Sequence, residues 1–262
     1  MPVTVHAETH RMSQDEFGQV AYDVMGHVFA IHAEFGSFLR EEIYHSEIAR
    51  RCGGLVKVPV EVCHVGFRRL YFIDLLVGGG AVFELKTVQR LTDRHRSQLL
   101  QYLLLADLSN GKLVNLSPDL VEHEFVNTTL TCSDRQGFEI DTAEWDTSER
   151  KSADFQEMVL RLLRDVGTGL SSNLYEGVLT QLLGARAVVK SKINIVNGGC
   201  IIGSQPVRFS APSTAFKVTT VREADEHRLE CHLRRFLTHT RLNGIHWINV
   251  RHRLIKFKTI RR

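Results

Sequence analysis

The chain has 262 residues, 43% of them apolar and 24% charged, with a formal net charge of +3. That is the composition of an ordinary globular protein, with room for one large domain or two modest ones. No apolar run is long enough to cross a bilayer, and the opening MPVTVHAETHRMSQDE has no apolar core of a secretory signal. The five cysteines (Cys52, Cys63, Cys132, Cys200 and Cys231) are scattered and never form a C-x-x-C pair. This argues against a disulfide framework and a structural zinc site, and makes the cytoplasm the expected compartment.

Charge is divided unevenly. Residues 1–150 hold 14 Lys+Arg against 22 Asp+Glu, a balance of −8, and residues 151–262 hold 19 against 8, a balance of +11. The basic half is what a polyanion would seek, although it can equally be solvated or complement the acidic one.

In chain order, residues 15 to 52 read as helical segments broken near Gly36. Val20, Val24, Val28 and Ile31 recur at helical spacing, as do Leu39, Ile43 and Ile48. Glu41, Tyr44 and His45 fall on neighbouring faces of the later segment. Val56 to Val65 alternates like a half-buried strand, and Gly66 to Arg69 turns the chain into the next one. The stretch LYFIDLLVGGGAVFELKTV then reads as a strand holding Asp74, a turn at Gly78-Gly79-Gly80, and a strand holding Glu84 and Lys86. Residues two apart on a strand share a face, so Glu84 and Lys86 project together while Phe83 and Leu85 enter a core. A hairpin across the glycines brings Asp74 beside Glu84. Asp74 stands among Phe72, Ile73, Leu75 and Leu76, where an unpaired carboxylate is costly. Two carboxylates beside an ammonium describe a site for one or two hard divalent cations. Thr92 and Asp93 are N-cap candidates for a helix that carries Gln98 and Tyr102 at i and i+4 on one face. Asn110-Gly111 is a turn signal and Lys112 to Leu116 a further strand. Together these elements predict an α/β fold built on a mixed sheet.

The ordered set of Asp74, Glu84-Leu85-Lys86 and Gln98-x-x-x-Tyr102 resembles the PD-(D/E)XK nuclease superfamily. The segment Phe38-Leu39-Arg40-Glu41-Glu42-Ile43-Tyr44 is similar to the motif of its GxxExxY branch, with the Glu and Tyr at Glu41 and Tyr44 and Phe38 in place of the Gly. The resemblance covers roughly residues 15 to 130. It implies a nuclease-like mixed sheet flanked by helices and a metal-dependent hydrolysis of nucleic acid, DNA ahead of RNA. Asp74, Glu84 and the Leu85 carbonyl would hold Mg²⁺ or Mn²⁺, and Glu41 a water of the ion. Lys86 would orient or deprotonate the attacking water, with Gln98 and Tyr102 positioning ligands or nucleotide. Tyr44 is expected to pack rather than react.

Residues 134 to 150 are polar and without period, and read as a linker between a domain at 1–133 and another at 151–262. The latter reads as the same unit, eroded. Gly167 to Tyr175 lines up with Gly36 to Tyr44, and Ala215 to Val221 with Val82 to Val88. Asn243 to Asn249 lines up with Asn110 to Asn115, with one residue extra. In that alignment Ser172, Lys217 and Thr219 replace Glu41, Glu84 and Lys86. No acidic residue lies between Glu176 and Glu223, so nothing is expected to stand in for Asp74. The lobe reads as a pseudo-nuclease, either gripping phosphates or purely structural. An internal pseudo-dimer of this kind suits a monomer or a homodimer. The alternative to a nuclease is a non-catalytic nucleic-acid-binding or assembly protein that keeps the fold. The 13 histidines match no zinc pattern, and His95 is expected to be an exposed helix residue. The glycine triplet lacks the signature of a phosphate loop, and serine and cysteine nucleophile motifs are absent. The closing segment HWINVRHRLIKFKTIRR reads as an outer strand with one charged face.

Overall fold

A computed structural model describes residues 2–148, 150–184 and 189–262. The chain divides into two compact units, the first comprising residues up to Cys63 together with Arg68–Cys132, the second His64–Phe67 and Ser133–Arg262. Each is an α/β layer structure on a six-stranded mixed sheet. Among the described residues no helix is long and apolar enough to cross a membrane.

The first unit begins with β1 (Val3–Val5) and the helices α1 (Gln14–Phe35) and α2 (Glu41–Cys52). A capping box starts α1: the Ser13 hydroxyl accepts the Glu16 N–H, and the Glu16 carboxylate accepts the Ser13 N–H at 2.8 Å. Phe17, Ala21, Val24, Val28 and Ile31 form its buried stripe. In α2 the buried residues are Tyr44, His45 and Ile48, and Ile43 is exposed, because the helix starts only at Glu41 and turns Ile43 outward. The strands β2 (Leu55–His64), β3 (Phe67–Val77) and β4 (Ala81–Lys86) follow. Then come α3 (Asp93–Ala106), β5 (Asn110–Asn115) and β6 (Glu122–Asn127). The sheet order is β1-β2-β3-β4-β5-β6. β3 and β4 form the expected antiparallel hairpin, with Leu75 opposite Phe83 and Val77 opposite Ala81. Gly78 and Gly79 turn it at φ +56° and +70°, values that side chains other than glycine rarely adopt. β4 and β5 are parallel, which demands a crossover, and α3 supplies it. Leu75, Phe83, Leu85 and Val114 pack with α1 and α2 in one core. Asn110 and Gly111 open β5 instead of making a turn: the Asn110 amide donates to the Met12 carbonyl at 3.1 Å, and a Cβ on Gly111 would meet Leu99 at 2.9 Å.

The second unit comprises α4 (Cys132–Gln136), β7 (Glu139–Glu144), α5 (Arg150–Val166) and α6 (Ser172–Leu182). The long strands β8 (Lys190–Asn197) and β9 (Cys200–Ala211) lead to β10 (Thr214–Thr219). Last are α7 (Glu223–Thr238), β11 (Gly244–Val250) and β12 (Leu254–Arg261). The order is β7-β12-β11-β10-β9-β8. Here β9–β10 is antiparallel, β10–β11 parallel with α7 as crossover, and β11–β12 antiparallel, the same sequence of senses as β3 to β6.

Side-chain braces recur as well. The Tyr44 hydroxyl donates to the Gly36 carbonyl and accepts the Leu39 N–H, and Tyr175 does the same with Gly167 and Leu170. Asn115 clasps both backbone groups of Val88, and Asn249 those of Val221. Tyr44 thus holds the turn before its helix. The strand registers align Asn110 with Gly244 and Asn115 with Asn249, without the extra residue that the sequence alignment carried.

Two expectations give way. Residues 134–150 are not a linker: they hold β7, parallel to β12, and the buried Trp145, which stacks on Phe155. The segment lacks an apolar period because β7 exposes most of its side chains. The closing segment makes two strands, not one outer strand. β11 is wholly buried between β10 and β12, and β12 is itself flanked by β7.

Candidate metal centre

The β3–β4 pairing runs from Val77 opposite Ala81 to Leu75 opposite Phe83. One residue further on, the Asp74 side chain fills the fork. Its Oδ2 accepts the Leu85 N–H at 3.1 Å and the Lys86 Nζ at 3.3 Å, and its Oδ1 accepts the Lys57 Nζ at 2.6 Å. The apolar neighbours noted in the sequence do bury Asp74, and these three donors make that burial tolerable. Glu84, with 0% exposure, lies against the Lys86 ammonium. Among the described residues, neither of its carboxylate oxygens has a hydrogen bond of good geometry. Glu41 opens α2 and His45 follows one turn later, 3.7 Å from it across the helix face. Donor atoms of Glu41, His45 and Asp74 all lie within 4.8 Å of one another.

Gln98 and Tyr102 are joined on α3, with the amide donating to the phenol oxygen at 2.9 Å. The Tyr102 ring packs edge-on against Tyr71. Burial, and behind it the Glu84 and Asp74 charges, push the Tyr102 hydroxyl up to about 12. Leu85 turns its side chain into the core and contributes its amide to Asp74. His95 is half-buried rather than exposed, and its Nδ1 accepts the Thr92 N–H at 3.2 Å to cap α3.

Protonation follows from burial and charge. Burial, then Asp74, raises Glu84 to about 8. Burial also raises Glu41 and lowers His45, which favours the neutral imidazole. Asp74 goes the other way: burial acts to raise it, but Lys86, Lys57 and His45 outweigh that and hold it below the usual carboxylate range. For Lys86, burial alone would lower its pKa, and Glu84 and Asp74 carry it above normal. Lys86 is therefore an ammonium at neutral pH.

Sequence reasoning missed two residues here. His45 is 2% exposed, and among the described residues neither ring nitrogen has a hydrogen-bond partner. Its i, i+4 spacing from Glu41 was the available signal. Lys57 sits in β2 at φ +50°, a strained setting for a residue other than glycine, and its half-exposed side chain reaches Asp74. Nothing in the alternation of β2 marks it.

The buried, unpartnered imidazole is the test of whether a cation fits. Such a group costs about 1–3 kcal/mol unless something pairs with it. A neutral imidazole beside two carboxylates is a ligand set for a divalent ion. Fold and site together define an α/β domain with a buried acidic centre and a fixed lysine. The family model of the PD-(D/E)XK nuclease superfamily matches residues 18–127, the segment that holds all of these side chains. Among solved structures, the match to the one titled "Crystal structure of SSO0001" has 21% identity and a TM-score of 0.30. It covers 45% of this chain and 60% of that protein, so the chain spans less than two thirds of its length. No curated protein matches the sequence.

Proposed function

We propose that the first unit is a divalent-metal-dependent nuclease hydrolysing phosphodiester bonds in nucleic acid, DNA ahead of RNA. The observation that carries this is the buried fork in which Asp74, Leu85 N–H, Lys86 and Glu84 meet beside the unpartnered His45. Asp74, Glu41 and His45 would hold Mg²⁺ or Mn²⁺, with Glu84 near enough to join once Lys86 releases it. Bound there, the ion would polarise a phosphoryl oxygen and lower the pKa of water. Imidazole suits softer ions better than Mg²⁺, so Mn²⁺ is the expected better activator.

The chain's own groups supply the rest. Lys86, held protonated by its two carboxylates, orients the attacking water and offsets negative charge on the phosphorane-like transition state. It does not act as the base. Lys57 offers a second ammonium to a phosphate once it leaves Asp74. Gln98 and Tyr102, locked to each other, form a fixed polar wall that positions the nucleotide.

The test is cleavage of single- and double-stranded DNA and RNA with Mn²⁺ or Mg²⁺, comparing wild type with Lys86→Ala. The expected outcome is metal-dependent cleavage that falls by about a hundred- to a thousandfold in the variant, as for loss of a key electrostatic group. Equal cleavage by both proteins would defeat the assignment.

A further inference from the structure

The second unit carries its own version of the fork, a buried carboxylate between two cations, with Lys217 in the place of Glu84. Glu176 of α6 is 1% exposed and accepts the Val218 N–H at 3.2 Å. Val218 occupies on β10 the place of Leu85 on β4, because Phe216 faces His246 as Phe83 faces Lys112. A carboxylate therefore does take the Asp74 hydrogen bond, which the sequence alignment did not foresee. It comes from the helix, one residue after Tyr175, rather than from the strand.

Two cations hold Glu176, as Lys57 and Lys86 hold Asp74, and one of them stands where the first unit has an acid. Lys217, in the Glu84 position, reaches it at 3.0 Å, and Arg208 of β9 at 2.7 Å. Lys190 is the direct cross-strand partner of Arg208, so both side chains leave the same face of the ribbon, as does Lys192 two residues on. Lys190 and Lys192 are exposed, and the Lys217 side chain is 47% exposed. One buried carboxylate thus meets two cations directly, Lys190 and Lys192 leave the face that Arg208 leaves, and no other Asp or Glu occurs from 177 to 222. The single carboxylate fixes Lys217 and Arg208 in place without cancelling the charge.

We infer that this cluster is a metal-free phosphate-binding site for a nucleic-acid backbone, with Lys217, Arg208 and Lys190 as its donors. The reading of the ligand as nucleic acid rests on the function proposed above; the anion site itself rests on the charges. In the first unit a phosphate would need a bound cation to enter among carboxylates. Here the cations are covalent parts of the chain, so binding needs no metal.

The experiment is fluorescence-anisotropy binding of a labelled single-stranded DNA oligonucleotide to the full chain in EDTA, across a salt series. Wild type is compared with Lys190→Gln, Lys217→Gln and the remote surface control Arg228→Gln, with thermal melts on each. The expected result is tighter binding by wild type and the control than by the two lysine variants. Each lysine variant should also show a slope of log K against log salt shallower by about 0.7, the value for one lost contact to a single strand. No binding by wild type in EDTA would overturn the inference, as would an unchanged affinity and slope in Lys190→Gln. Lys190 is exposed, so that variant decides even if Lys217→Gln, which leaves the buried Glu176 with Arg208 as its one ion-pair partner, fails to fold. Asp74→Asn separates the two proposals: lost cleavage with unchanged binding in EDTA supports both. Absent cleavage by wild type, together with weakened binding in the lysine variants, sinks the nuclease and keeps this site.

Discussion

Glu84 and His45 are the residues whose burial is hardest to explain without a ligand, and each gives a measurable signature. Glu84 titrates at about 8 in the folded chain against an ordinary value of 4.5. A raised carboxylate favours the protonated form, so the folded chain binds the proton more tightly than the unfolded one does. Its stabilising effect is complete below pH 4.5 and is lost as pH rises toward 8. In EDTA, wild type should therefore lose roughly a few kcal/mol of stability between pH 5 and pH 8 that Glu84→Gln does not lose. Denaturant melts at the two pH values read this directly. Asp74 has its window below 3.8 and leaves this range untouched. His45→Leu should raise metal-free stability by about 1 kcal/mol by removing an unsatisfied buried polar group, while calorimetry shows weaker Mn²⁺ binding. Loss of stability with unchanged Mn²⁺ affinity would mean that the imidazole serves packing instead.

At the scale of elements, the β3–β4 hairpin, the helix with Gln98 and Tyr102, and the paired helices before them were legible because periodicity and glycine turns mark them. The fork residues Asp74, Glu84 and Lys86 were legible for the same reason. What escaped was set by tertiary contact. β7 has no apolar period because its pairing with β12, not a buried face, holds it in place. His45 and Lys57 gain meaning only from the atoms of Asp74 beside them, and Glu176 only from the Val218 amide. The matched braces were half visible: the alignment paired Tyr44 with Tyr175 but could not show the hydrogen bonds that both make. Since each hydroxyl spans a carbonyl and an amide of the turn before its helix, Tyr44→Phe and Tyr175→Phe should each cost about 1–2 kcal/mol. The measurement is equilibrium unfolding of both variants. A cost at Tyr175 with none at Tyr44 would show that the two turns are not held alike.

On the two proposals made above, the molecule sets one framework to two electrostatic uses. In the first unit, carboxylates gather at Asp74, Glu84 and Glu41 and would meet an anion through a bound cation. The second encloses one carboxylate and surrounds it with lysine and arginine. The overall charge of +3 conceals this division, since a sum over the chain says nothing about where opposite charges are kept apart.

The extra strand of the second sheet lies on β12, the counterpart of β6. Among the described residues, β6 itself has β5 on one side and no strand on the other, an edge whose backbone can recruit a neighbour. Its guards are Glu122 and Glu124, the latter directly before the exposed Phe125. Replacing both by valine should favour self-association through that margin, visible as earlier elution than wild type in size-exclusion chromatography. Self-association of the first unit would then turn on two side chains that also hold its interior, Glu122 on the Asn115 amide and Glu124 on Arg96, whereas the second unit has β7 to cover the same margin.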